Sequence, residues 1–346
     1  MHIGILAPIT HRIPPRAYGP WERVASQLAE GLVARGMNVT LFATQDAVTS
    51  ARLSAVVPGA LSEHPEMPPR AWEQMHIGEA LRRARELKVD LLHNHLNFWP
   101  LPFSALVPYP ILTTLHGAAM LEDEARLVFR RYSHLPYVSI SRAEAAHVPE
   151  LNYVANVHNG IPVESFPFYE TCGEALVFLG RVSYEKGTDL AIELAQTIKR
   201  RLIIAGPVAD KDRAFFKEKI EPHLDGASVE YRGVVDHIGR DKLFKEAYAL
   251  VHPIRFPEPF GLVLIEAMAT GTPVLGLDRG AVSEVVGDGV GGFVGAHLEE
   301  LIDKARALPS LSRAAIRRRV EENFSLKTMV EGYVQAYLKV LERSSE

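Results

Sequence analysis

Residues 251–274 read VHPIRFPEPFGLVLIEAMATGTPV. The stretch begins in an apolar run, ALVH at 249–252, turns through Pro-Glu-Pro-Phe-Gly at 257–261, and continues as an apolar helical segment. It closes on a second apolar run, PVLGL at 273–277. Short apolar runs bounded by turn residues suit strands covered on both faces, and two of them joined by a helix make the repeating unit of a parallel sheet. Two carboxylates lie in this unit: Glu258 before a Pro-Phe-Gly turn, and Glu266 within the apolar helix, with seven residues between them.

The same alternation extends outward in both directions. Strand-like runs occur at 175–180, 201–206, 228–233 and 292–294, and earlier at 2–7, 37–43, 90–95, 110–115, 136–140 and 152–157. Helical spacing of apolar residues fills several of the gaps, including 20–35 and 71–88. Between the two series lies IPVESFPFYETCGE at 161–174, polar and proline-bearing, which reads as a linker. Two such series predict an α/β protein of two doubly wound Rossmann-like domains, with ligands at the carboxyl ends of the strands and in the cleft between the domains. The expected domains are 1–162 and 163–324. A last helix, 325–342 within the segment 325–346, carries an apolar stripe of Met329, Val330, Tyr333, Val334, Tyr337, Leu338 and Leu341, and is expected to pack back on the first domain.

At 346 residues the chain fits two domains of the usual ~150 residues each. A net charge of −4 argues against a general nucleic-acid binder. The single cysteine, Cys172, excludes an internal disulfide and suits a reducing compartment. MHIGILAPIT at the N-terminus has too short an apolar run for an export signal, and no stretch reaches the length of a spanning helix, so a cytoplasmic protein is expected. Arg126, Arg130 and Arg131 on the helical stretch 121–134 read as a solvated charged face, and peripheral membrane contact stays open.

With Glu258 and Glu266, the segment 251–274 resembles the E-x7-E signature of retaining glycosyltransferases of the GT-B fold, family four. LGRVSYEKG at 179–187, IIAGP at 203–207, HNGI at 158–161 and the run from Pro14 to Thr44 resemble that family's other motifs, in the same order. The resemblance implies hexose transfer from a nucleotide sugar, with glucose or mannose carried on UDP or GDP, to a hydroxyl of a carbohydrate, glycolipid or small-molecule acceptor. It implies no metal and no other cofactor. It gives Glu266 the ribose hydroxyls, Glu258 the hexose near its 3-hydroxyl, and Arg181 and Lys186 the donor diphosphate, where fixed cations oppose the charge that grows as the bond breaks. His116, at the end of ILTTLH, would reach the sugar's 6-hydroxyl. Glu258, His116, Arg181 and Lys186 are the expected catalytic set. Gly233 and Val234 would approach the base, and Phe260, Gly261 and Leu262 complete the donor segment. His95, Phe98 and Trp99 are candidates for the acceptor side, the two aromatic residues suiting either sugar stacking or loop packing.

Residues 14–24, PPRAYGPWERV, depart from the family pattern. The resemblance gives this loop two glycines and a donor phosphate at a helix N-terminus. Here Pro20 replaces the second glycine, which keeps the helix start but removes one N–H, leaving Gly19, Trp21 and Glu22 to offer theirs. Other patterns have weaker claims. Gly287, Gly289 and Gly292 match a dinucleotide fingerprint but lead into a strand, where that motif must open a helix. Asp210-Lys211-Asp212 reads as a helix start more readily than as a metal motif. His93 and His95 share a strand face, yet lack a nearby third ligand in sequence. A nucleotide-sugar 2-epimerase of the same fold and an inactive binding domain remain the competing functions.

Overall fold

The computed structural model describes residues 1–16, 19–117 and 122–345, with side chains as far as Arg343. The chain packs into two units, Met1–Gly160 with Leu326–Glu346, and Ile161–Ser325.

In the first unit the strands are β1 (His2–Leu6), β2 (Asn38–Thr44), β3 (Arg52–Val57), β4 (Leu91–Asn94), β5 (Ile111–Leu115), β6 (Pro136–Ser139) and β7 (Asn152–Asn156). They form one sheet in the order β3-β2-β1-β4-β5-β6-β7, and every pairing is parallel. The second unit has β8 (Ala175–Leu179), β9 (Leu202–Ala205), β10 (Val229–Tyr231), β11 (Ala247–His252), β12 (Val274–Leu277) and β13 (Gly292–Gly295), ordered β10-β9-β8-β11-β12-β13 and again all parallel. Strands such as Leu202–Ala205 are buried residue after residue, because helices cover both faces of the sheet.

Each sheet reverses its order once, between β1 and β4 and between β8 and β11. At such a point the connections leave to opposite sides, opening a crevice beyond the carboxyl ends of the two central strands. In the second unit that crevice lies past Leu179 and His252, where the Arg181–Lys186 and Glu258 segments begin.

The helix Leu326–Ser345 packs against the helix Pro20–Ala34 and against β7. Met329, Val330, Tyr333, Val334 and Tyr337 are buried, which contributes on the order of 10 kcal/mol at roughly 2 kcal/mol per side chain. Gly31 permits the close approach: a Cβ there would stand 2.4 Å from Val330 Cγ2. The expected stripe runs too far, because Leu338 is 43% exposed.

Candidate functional site

In the second unit, the loop after β8 carries Arg181 and Lys186 into the helix Thr188–Thr197. Its start at Gly187 has φ +71, and a Cβ would fall 2.0 Å from Pro253 O, so the turn brings Lys186 against the loop that follows β11. Lys186 Nζ lies 3.0 Å from Glu258 Oε2 and above the Phe256 ring. His252 Nε2 reaches the same oxygen at 3.2 Å. The backbone of Glu258 is held by Arg279 O and by the Ala281 N–H, across a close approach that Gly280 permits. Among the described residues no group donates to Glu258 Oε1. Burial alone would raise the Glu258 carboxyl; the Lys186 charge and the His252 hydrogen bond outweigh it and bring the pKa down to about 2. Burial lowers His252, with Glu258 opposing, so a neutral imidazole is held against a carboxylate.

Arg181 pairs with Glu185 and stands 3.6 Å from Asp212. Asp210–Asp212 opens a helical run that continues through Arg213–Phe215 and Phe216–Ile220, with no side-chain cap at its start. The helix start read from the sequence is present, and buried Asp212 in its first turn also faces Arg181. Among the described residues no three His, Cys, Asp or Glu side chains are grouped as a metal ion would need.

Glu266 is buried on the helix Leu262–Ala269, 3.8 Å from Arg240. Gly261 begins that helix at φ +85, Leu262 is half-buried, and Phe260 packs edge-on against Phe324 in the core. Gly233 follows β10 with φ +67 and its carbonyl accepts from Gly206 N–H; Val234 beside it is exposed. Gly287, Gly289 and Gly292 lead from the short helix Val282–Val286 into β13, so no helix opens after them.

In the first unit, His95 and His116 directly follow β4 and β5. His95 Nδ1 and His116 Nε2 are 2.9 Å apart, and Trp21 stacks on His116 at 5.6 Å between centroids. His93 bonds Tyr337 Oη at 2.8 Å and Thr114 Oγ1 at 2.7 Å, and Thr114 in turn meets Tyr333 Oη. Both His93 nitrogens are therefore taken by the C-terminal helix and β5. Burial takes His93 and His116 down to about 3 and His95 well below its ordinary value, so all three are neutral near pH 7.

Two expectations change here. Phe98 stacks on Trp99 and packs edge-on against Phe129 in a buried cluster, so loop packing rather than an open sugar face describes it. At Gly19, the anion next to the helix start is the chain's own Glu22: Oε2 stands 3.2 Å from where a Gly19 Cβ would be, and Oε1 accepts from the His11 N–H. Burial pushes the Glu22 carboxyl up. Ala17 and Tyr18 of this loop, and Leu121 of the basic stretch, lie outside the described residues. Arg126, Arg130 and Arg131 fall on the helix Asp123–Arg131, where Arg130 comes within 4.0 Å of Glu150.

Sequence reasoning missed His252 and Asp212. Both stood in quoted segments, but nothing in their spacing shows which charged group they face.

Two doubly wound parallel sheets, one with a Lys-Glu-His cluster and an arginine at its switch point, have the architecture of the GT-B fold. The chain belongs to the family whose models match it in two blocks: residues 21–165 match Glycosyltransferase Family 4 and residues 171–323 match Glycosyl transferases group 1. It is 30% identical over 208 residues to the glycogen synthase of Mycobacterium tuberculosis (strain CDC 1551 / Oshkosh), covering 55% of this chain and 49% of that protein. In that match the chain spans about half the length of its relative. It is 26% identical over 317 residues to the phosphatidyl-myo-inositol mannosyltransferase of Mycobacterium leprae (strain TN), covering 84% and 82%. Among solved structures, Anabaena HepE in complex with UDP and glucose superposes with a TM-score of 0.74 at 17% identity, over 98% of this chain and 100% of that one. No helix among the described residues is long and apolar enough to cross a membrane.

Proposed function

We propose that the protein is a retaining hexosyltransferase that moves glucose or mannose from UDP or GDP to an acceptor hydroxyl, without a metal ion. The observation that carries the reading is the Glu258 carboxylate: Lys186 and His252 fix one oxygen and leave Oε1 without a donor among the described residues. An ionised acceptor already oriented by two donors suits a sugar hydroxyl, since charge-assisted bonds are the stronger kind. Arg181 and Lys186 then face the diphosphate and oppose the charge that builds as the glycosidic bond breaks, which favours the transition state over the ground state. Glu266 holds the ribose, Gly233 and Val234 border the base, and neutral His116 orients the hexose by hydrogen bonding. The names of the two bacterial relatives and the UDP and glucose bound to the Anabaena protein support a nucleoside diphosphate hexose as donor. The acceptor is a carbohydrate, a glycolipid or a small molecule, met in the cytoplasm, with peripheral membrane contact where it is a lipid.

The test is nucleotide release from a panel of UDP- and GDP-hexoses with and without EDTA. Turnover of one donor, undiminished by chelator, is expected. Loss of activity restored by manganese overturns the metal-free part, and turnover of none overturns the assignment.

A further inference from the structure

Arg181 is already occupied. Its Nη2 pairs with Glu185 and its Nη1 stands 3.6 Å from Asp212 Oδ2, so a carboxylate faces each end of the guanidinium fork. Lys186 is likewise held, 3.0 Å from Glu258. A diphosphate reaching Arg181 needs that same fork, because paired N–H groups are what bind phosphate oxygens. One carboxylate has to leave.

The two are held differently. Asp212 belongs to the helical run after β9, and its side chain is only 12% exposed. Glu185 lies in the loop between β8 and the helix Thr188–Thr197, with its side chain 50% exposed. Its backbone is anchored, since Glu185 O accepts from the Arg255 N–H, while the carboxylate reaches solvent. The neighbouring cations set where that carboxylate can go. Arg255 is committed, bonded through both Nη groups to Asp189. Lys211 Nζ stands 3.8 Å from Glu185 Oε1, on a largely exposed side chain, and has no other ion-pair partner among the described residues. The Asp210-Lys211-Asp212 segment thus sets a fixed carboxylate against Arg181 and a solvated cation beside Glu185.

We propose that Glu185 is an internal competitor of the donor diphosphate for Arg181, and that Lys211 takes up Glu185 when the diphosphate binds. Asp212 remains and positions the guanidinium. This rests on the reading above that Arg181 meets the diphosphate. Exchanging one exposed ion pair for another costs little, because such pairs contribute little each. Without Lys211, Glu185 would pass from a guanidinium to water beside an incoming anion. The competition matters again after transfer. The freed nucleoside diphosphate keeps its hold on Arg181 until Glu185 returns to the fork and displaces it, which quickens turnover where release sets the rate. Glu185 and Lys211 are positioning residues, both acting through Arg181.

The test is calorimetric titration of UDP and of GDP into the full chain and three variants. Glu185→Gln keeps the size of the side chain and removes its charge; it should bind nucleotide about fivefold more tightly, a gain that damage to the fold does not produce. Lys211→Met should weaken binding about threefold in the wild-type background and change nothing in the Glu185→Gln background, since Lys211 acts only on Glu185. Inhibition of donor turnover by the product nucleotide should follow the same order. Unchanged or weaker binding by Glu185→Gln overturns the competition and leaves the donor reading standing. A Lys211→Met loss that persists in the Glu185→Gln background, as direct contact with phosphate would give, overturns the exchange, and so does no loss in either background. Binding of neither nucleotide by the wild-type chain removes the donor reading and this proposal with it.

Discussion

Replacing Glu258 by Gln keeps the shape of the side chain and removes the charge that Lys186 and His252 hold. The folded carboxyl stands at about 2 against an ordinary 4.5. That difference of roughly 2.5 units, at 1.36 kcal/mol each, is on the order of 3 kcal/mol of stabilisation at neutral pH. The folded pKa is depressed, so the contribution is full above the unfolded value and is lost as pH falls from about 5 towards 2. Because the Ala281 N–H bonds to Glu258 O, amide hydrogen exchange at Ala281 reports the site directly. At pH 7 the Gln variant should exchange about a hundredfold faster there than wild type if opening breaks the Lys186–Glu258 pair. Compared at equal pH, intrinsic exchange rates cancel, and the ratio should shrink steadily towards one near pH 2. A ratio within about twofold at pH 7, or one that persists unchanged in acid, would refute the electrostatic account of this carboxylate.

Arg181→Ala should lower transfer by on the order of 10²-fold or more in kcat, the usual cost of losing a donor aimed at developing charge, as read by steady-state nucleotide release. Tyr337→Phe leaves buried His93 Nδ1 without its 2.8 Å partner and should lower stability by about 1–3 kcal/mol, visible as a lower Tm; an unchanged Tm would show that water replaces the hydroxyl. Glu22→Gln should act in the opposite sense. Burial raises that carboxyl, so its ionised form is a burden above the folded pKa, and the variant's Tm should match or exceed wild type at pH 8, with the advantage fading as pH falls and the wild-type group protonates.

The sheets were legible because a strand covered on both faces must be apolar throughout, and runs such as RLIIAG or ALVFLG announce this within six residues. β3 was not, for the same reason in reverse: Arg52–Val57 is an edge strand, exposed at Arg52 and half-buried through Leu53–Val56, so it lacks the continuous apolar run. Among site residues, the motif positions could be read in sequence, but not what each faces. Lys186 and Glu258 are 72 positions apart, and their contact depends on how closely two loops meet at Gly187 and Pro253. His252 and Asp212 belong to the same class of surprise. Phe98 shows the converse, an aromatic residue in a loop whose burial is decided by Phe129 across the unit.

The central claim is retaining transfer at the Glu258 cluster, and ¹H NMR of the sugar freed from UDP-α-glucose or GDP-α-mannose tests it most directly. In spectra taken before mutarotation, the account predicts that the α-anomer appears first and that Glu258→Ala abolishes its release. A β-anomer appearing first, or release of sugar by the alanine variant at the wild-type rate, would contradict it.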